Sequence, residues 1–286
     1  MTPRVAVATC AGVDVDPDSP VLLSALAEVG VDATLAVWTD PHVEWSSFDL
    51  TVIRSTWDYT DAYDEFLTWA TSIERLENPL AVIRFSSDKH YLADLARAGV
   101  AIVPTTFVAP DETPTWPTGD FVVKPAIGAG SRGAERFTSQ DLDAAFAHLA
   151  GLQSAGRHAL IQPYIDSVDT QGEFAVIFID GAFAHVMNKA AMLGQREMDR
   201  NRLYLLEAMT PDEPREGLVD AATAALRAAG AEDLLYARVD LVWSGDEWVV
   251  MELELVEPSL FLTHRPAMAT RLADAIRVRA EARQRR

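Results

Sequence analysis

Residues 236–262 read YARVDLVWSGDEWVVMELELVEPSLFL, two Val-rich runs joined by a tight turn, and the facing of their side chains decides how the chain is read. Side chains alternate across a strand, so Arg238 and Asp240 share one face of the first run and Glu252 and Glu254 one face of the second. Asp240 stands opposite Glu252 only if the loop holds an odd number of residues. The three-residue loop Gly245-Asp246-Glu247 pairs Ser244 with Trp248, and hence 240 with 252, whereas a two- or four-residue loop sets Asp240 opposite Met251. Three carboxylates that close repel. Protonation relieves them, and so does a hard divalent cation such as magnesium, which is held by one or two carboxylates together with substrate phosphates. The hairpin therefore asks for a phosphate site elsewhere in the chain.

Composition narrows the partners. Lys plus Arg 24 against Asp plus Glu 43 gives −19 over 286 residues, a field that repels nucleic-acid backbones and anionic membranes. No apolar run reaches the ~18 residues of a membrane span. A single cysteine, Cys10, leaves no internal disulfide, and MTPRVAVATC is too short and interrupted for a signal peptide, so the cytoplasm is expected. The six histidines show no metal-type spacing.

RVAVAT (4–9), DATLAVW (32–38) and LTVIRS (50–55) are strand-like runs, with helical patterns over 20–29 and 61–76, and this alternation predicts a small layer of parallel strands. SSDKHYLADLARAGV reads as one capped helix ending at Gly99, with Lys89 in its first turn. Helices are expected near 139–154, 214–229 and 264–283, and a hairpin turning at Asp180-Gly181.

FVVKPAIGAGSRG is a strand that presents Lys124, followed by a loop containing Gly128, Gly130 and Ser131. Glycines let backbone amides approach phosphate oxygens, and the lysine adds a point charge. The spacing fits neither a Walker loop nor a Rossmann fingerprint, and alone it is equally a surface turn. IQPYI ends a strand at a proline that interrupts the amide ladder and is expected to free the Tyr164 amide. RSTWDYTD (54–61) ends the third strand, where open α/β sheets receive ligands. Arg54, Ser55, Thr56, Asp58 and Tyr59 could bind a zwitterion, arginine on the carboxylate and aspartate on the ammonium; a helix-capping turn with an aromatic anchor reads as well.

A lysine on a helix, strand-Lys-Pro with a glycine loop, QPY, Gly-Glu, then Arg-x-Asp and Glu-x-Glu on a hairpin is the order found in ATP-grasp ligases. From about residue 80 to 262 the chain resembles that superfamily, most closely its glutathione-synthetase-like members, and the α/β layer before it resembles the domain that precedes the grasp. STWDY, DK, VVKP, QPY, ELEL and EPS are also similar to a bacterial subgroup that includes the cyclo-ligase completing D-cycloserine, which places the chain in antibiotic biosynthesis. The resemblance implies an α/β fold in three parts: an N-terminal α/β domain (1–85), a small ATP-grasp subdomain (86–162) and a C-terminal subdomain (163–286).

It also implies the chemistry of an ATP-dependent carboxylate–amine ligase. A small amino-acid-like carboxylate attacks the γ-phosphate of ATP, and an amine of the same or another molecule displaces phosphate from the acyl phosphate. Lys89 and Lys124 would hold the phosphates with Gly128, Gly130 and Ser131; Gln162 and Tyr164 would sit at the adenine hinge, with Glu173 also on the nucleotide. Asp240, Glu252 and Glu254 would hold two magnesium ions, and Arg238 and Lys189 would act in the acyl transfer. The segment 194–205, with Arg196, Arg200 and Arg202, is expected to close over the site. The family carries Asn two residues after its bridging Glu, followed by Pro-Gly; this chain has Glu254 and then LVEPSLFL. The added charge should tighten metal binding, while the altered EPSLF bears on the substrate. A phosphotransferase of the same fold and a non-catalytic nucleotide-binding regulatory module are the alternatives, and the retained Arg238 with three acids argues against the second. The expected partners are a small molecule and a second copy of the chain.

Overall fold

A computed structural model describes residues 2–12, 16–190 and 209–285. The first layer holds β1 (Arg4–Thr9), α1 (Asp18–Glu28), β2 (Asp32–Val37), β3 (Leu50–Ser55), α2 (Tyr63–Ser72) and β4 (Leu76–Glu77). Its strands are parallel in the order β2-β1-β3-β4. The central β3 is buried along its whole length, as a parallel strand covered on both faces must be.

The single helix expected over 86–100 is two helices, α3 (Leu80–Ser86) and α4 (Tyr91–Arg97). Asp88 accepts the His90 amide at 3.1 Å and the Lys89 amide donates to Ala126 O at 2.9 Å, so these polar contacts bend the chain between them. Lys89 thus stands in a turn docked on the glycine loop, not in a first helical turn. Gly99 does end the helix, at φ 84°.

The second layer is the antiparallel sheet β5-β8-β6-β7, built from β5 (Thr106–Val108), β6 (Phe121–Pro125), β7 (Glu135–Phe137) and β8 (Ala159–Pro163), with α5 (Leu142–Ser154) on it. The third holds α6 (Ser167–Gln171), β9 (Glu173–Ile179), β10 (Ala182–Lys189), β11 (Met209–Asp212), α7 (Leu218–Ala228), β12 (Tyr236–Ser244), β13 (Glu247–Glu254) and α8 (Pro266–Gln284). Its sheet runs β11-β10-β9-β12-β13. Asp180 and Gly181, at φ 50° and 70°, make the expected two-residue turn between β9 and β10. β11 is an edge strand and so tolerates Pro211.

Both faces of this third sheet are buried. Phe174, Val176, Ala237, Val239 and Leu241 pack under α7, while Ala175, Ile177 and Tyr236 share a core with α8, α1 and β1. Among the described residues no helix is long and apolar enough to cross a membrane.

The deciding hairpin meets its required facing by a route the loop-length argument did not contain. Its turn has two residues, Gly245 and Asp246, with Ser244 opposite Glu247; Gly245 at φ 66° supplies the left-handed conformation such a turn needs. Two residues alone would set Asp240 opposite Met251. A β-bulge at Met251 shifts the register, so Leu241 faces Val250 while Asp240 faces Glu252 and Arg238 faces Glu254. Trp248 and Val250 before the bulge, and Leu253 and Leu255 after it, all reach the core under α7.

His185 on β10 packs between this sheet and the chain leading to α8, with Nε2 3.0 Å from Leu260 O. Burial, then the nearby Arg265 and Arg271, hold its pKa down to about 4. The fold therefore excludes a proton that the unfolded chain takes up below about pH 6.5, and stability is lost as pH falls from there towards 4. In His185→Gln, the loss of unfolding free energy between about pH 7.5 and 4.5 should shrink by about 2.5 kcal/mol, read from urea midpoints. Equal losses in both proteins would acquit His185.

Candidate functional site

One cavity of about 1560 Å³, counting its open mouth, lies where the three layers meet. At one end Gln162 and Tyr164 line it with Val103, Val122, Ile165 and Met251. The interruption at Pro163 leaves the Tyr164 amide engaged, not free: it donates to Asp120 O at 2.8 Å. The Tyr164 hydroxyl donates to Asp169 at 2.6 Å, the Arg136 guanidinium stacks 3.5 Å from its ring centroid, and Gln162 Nε2 donates to Thr105 Oγ1 at 2.8 Å. The wall there is apolar with fixed polar atoms, which suits a planar heterocycle.

At the centre lie Lys89, Lys124, Gly128, Gly130 and Ser131. Lys124 Nζ donates to Glu252 at 2.6 Å; Lys89 Nζ is 3.6 Å from the same carboxylate and donates to Gly128 O at 2.7 Å. The glycine loop is fastened to the first layer by Arg132, which donates to Asp61 at 2.8 Å, to Trp57 O at 2.9 Å and to Thr60. On the floor Lys189 and Glu173 face each other across β10 and β9, 3.6 Å apart. A Cβ on Gly172 would lie 2.7 Å from Lys189 O, so only glycine lets the chain enter β9 this close to β10.

The hairpin contributes Arg238, Asp240, Glu252 and Glu254. Arg238 makes a two-pronged pair with Asp240 (2.8 and 2.9 Å), donates to Glu254 at 2.6 Å and to Ser259 O at 3.2 Å. Cations therefore relieve the crowded carboxylates in the absence of metal, a third remedy beside protonation and metal binding. Glu252 shows the effect: burial alone would raise its pKa, yet Lys124 and then Lys89 hold it down to about 2. Glu254 goes the other way. Burial, opposed by Arg238 and reinforced by Asp240 and Glu252, pushes it up to about 7. Among the described residues no three acidic, histidine or cysteine side chains are already gathered as a metal site. The donor chemistry fits a hard cation, being all carboxylate oxygen.

Of the five residues in RSTWDYTD, Tyr59 lines the cavity and the other four do not. Arg54 is 3% exposed, donates to Pro258 O at 2.7 Å and lies 5.0 Å over the Tyr236 ring. Ser55 is hydrogen-bonded to Thr9 at 2.9 Å, Thr56 is fully buried, and Asp58 accepts Trp38 Nε1 at 2.7 Å. The thiol of Cys10 is buried, which pushes its pKa up to about 11 and leaves it unreactive. The expected lid, 194–205, lies outside the described residues.

Among the cavity residues that escaped the sequence reading are Met251, turned inward by the bulge, and Trp57 and Glu257, which close the end opposite the hinge. The departure EPSLF was the visible mark of Glu257. Burial and the neighbouring Glu254 push its carboxyl up to about 8.

Known proteins of the same shape can now be set beside this geometry. Residues 5–81 match the family described as D-cycloserine synthetase DcsG, N-terminal domain. The chain is 37% identical over 279 residues to the cycloserine biosynthesis protein DcsG of Streptomyces lavendulae, covering 92% of this chain and 93% of that one. The crystal structure of D-cycloserine synthetase DcsG superposes with a TM-score of 0.87 at 35% identity, over 97% of this chain and 99% of that one. At 16% identity the fold is shared with D-alanine–D-alanine ligase from Bacillus anthracis complexed with ATP (TM-score 0.70, 98% and 100% covered). The ATP-grasp ligase PsnB with magnesium and ADP has the same fold (16% identity, TM-score 0.63, 98% and 99% covered).

Proposed function

The chain belongs to the D-cycloserine synthetase family and is an ATP-dependent carboxylate–amine ligase of the ATP-grasp fold, and we propose that it closes a ring within one amino-acid-like molecule. The observation that carries the site assignment is the convergence of Lys124 and Lys89 on Glu252, between the apolar hinge end and the end closed by Trp57 and Tyr59. Lys124 and Lys89 are placed to take the phosphates of ATP, and Glu252 with Asp240 and Glu254 would hold two magnesium ions as an oxygen-only donor set. Bound magnesium would screen the phosphate oxygens that the substrate carboxylate must approach. Arg238 fixes Asp240 and Glu254 and, beside Lys189, faces the charge that grows on the acyl group.

In the reaction a carboxylate oxygen bonds to the γ-phosphorus as ADP leaves; the nitrogen then bonds to the acyl carbon, phosphate leaves and the nitrogen loses a proton. Gln162 and Tyr164 take the adenine edge, with Glu173 near the ribose side of the floor. The division at 85/86 and 162/163 is kept as a proposal supported by the sheets, one in each unit, although these boundaries cut α3 and β8. A cytoplasmic location and a homodimer also stay proposals, the latter read by light scattering.

Ring closure is tested by mass. Given ATP, magnesium and β-aminooxy-D-alanine, the ring-opened form of D-cycloserine, the enzyme should release ADP and phosphate and a product lighter by one water. A product heavier by a second amine would make the ligation intermolecular, and a phosphorylated product would make the protein a phosphotransferase. Lys124→Ala should weaken ATP binding at least about tenfold, since a direct charge partner is worth 1.4 kcal/mol or more in a site this buried. Unchanged nucleotide affinity would remove Lys124 from the phosphate site.

A further inference from the structure

Among the described residues, Glu257 is the one carboxylate of the cavity that the ligase reading does not use. It is 8% exposed and lines the cavity beside Trp57 and Tyr59, which are 6% and 3% exposed. The turn that carries it is pinned on every side. Trp57 Nε1 donates to Glu257 O at 3.2 Å, Arg54 to Pro258 O at 2.7 Å, Arg238 to Ser259 O at 3.2 Å, and the Leu260 amide donates to Asp18 at 3.0 Å. Its carboxylate, by contrast, meets no side-chain hydrogen-bond or ion-pair partner among the described residues and is contacted by its own backbone amide. Among the described residues, Lys89 and Arg238 act on it, and they are already held, Lys89 by Glu252 and Gly128 and Arg238 by Asp240 and Glu254.

A rigid backbone presenting a buried carboxylate without a side-chain partner, in a cavity wall shared with aromatic side chains, is an arrangement that recognises a primary ammonium, by charge and by contact with the rings. A metal-binding role fits less well, because Glu257 leaves the hairpin face and stands past the end of β13, at the end opposite the hinge. We propose that Glu257, with Trp57 and Tyr59, forms the subsite for the free ammonium of the amino-acid-like substrate, which leaves the substrate carboxylate directed towards Arg238 and the metal ligands. The subsite rests on the ligase reading and determines specificity: molecules that lack a free amine should be refused.

The test is calorimetric titration of D-cycloserine and of its N-acetyl derivative into the protein with magnesium and ADP. The intact protein should prefer the free amine at least tenfold. In Glu257→Gln the preference should fall to threefold or less, in Glu257→Asp it should partly return, and the affinity for magnesium AMPPNP should stay within twofold in both. Glu257→Gln keeps the shape and takes away only the capacity to carry charge, so its melting temperature should not fall. A preference that survives in Glu257→Gln, or is absent from the intact protein while nucleotide binds, overturns the subsite and leaves the ligase reading standing. A tenfold loss of magnesium AMPPNP in Glu257→Gln makes Glu257 a metal ligand and also overturns it. Failure of the intact protein to bind nucleotide sinks the ligase reading and the subsite with it.

Discussion

Glu252→Gln is expected to lower turnover at least about a thousandfold, the cost of removing a group that stabilises transition-state charge in a buried site. Glu252 touches both lysines in the resting protein and is free to hold metal once phosphates take those lysines. The neutral amide can do neither. It should also destabilise the resting fold by about 2 kcal/mol, because two lysines are left facing each other without their anion; the figure is set below the 3–5 kcal/mol of a fully buried pair. That pairing is worth checking separately, since the lysine side chains are 10% exposed and Glu252 22%. Single-turnover ADP formation and urea unfolding measure the two effects. Normal turnover at low magnesium would sink the metal-ligand role of Glu252.

Arg238→Met should be the most damaging change to the fold itself. Arg238 is 5% exposed and Asp240 2%, and the methionine would leave Asp240 buried with no cation and Glu254 without its closest one. Breaking a buried pair from one side costs about 3–5 kcal/mol. Lysine should not rescue it, since its single ammonium cannot reproduce the two-pronged contact. Urea midpoints of Arg238→Met and Arg238→Lys, with ADP release, read this; stability within 1 kcal/mol of the parent would show that the carboxylates do not depend on the arginine.

The parts of the fold that show as local pattern were legible: the parallel strands of the first layer, the Asp180-Gly181 turn, and the order of lysines, glycines and acids, all of whose assigned residues line one cavity, unlike four of the five assigned in RSTWDYTD. What escaped depends on contacts between distant segments. Arg54 stands at a strand end where ligands are received, but the turn at Pro258, 204 residues on, claims it. The break before Lys89 is set by Ala126, and the Tyr164 amide is taken by Asp120. Glu257 was visible only as a departure from pattern, because a carboxylate's worth depends on what surrounds it and the aromatic wall comes from residues 57 and 59.

The bulge at Met251 has a consequence for the chain's tolerance of length changes. The hairpin contains one residue more than an even pairing needs, and it could be stored in either of two places, the turn or the bulge. Moving it to the turn, with Gly245, Asp246 and Glu247 as the loop and Met251 opposite Leu241, would keep Arg238, Asp240, Glu252 and Glu254 in their present pairs. It would nevertheless turn Trp248 and Val250 away from α7 and bring Val249 and Met251 round to face it. Related chains that place the extra residue differently would therefore share this chemistry on a differently packed strand, and aligning them by the acidic residues alone would hide the difference.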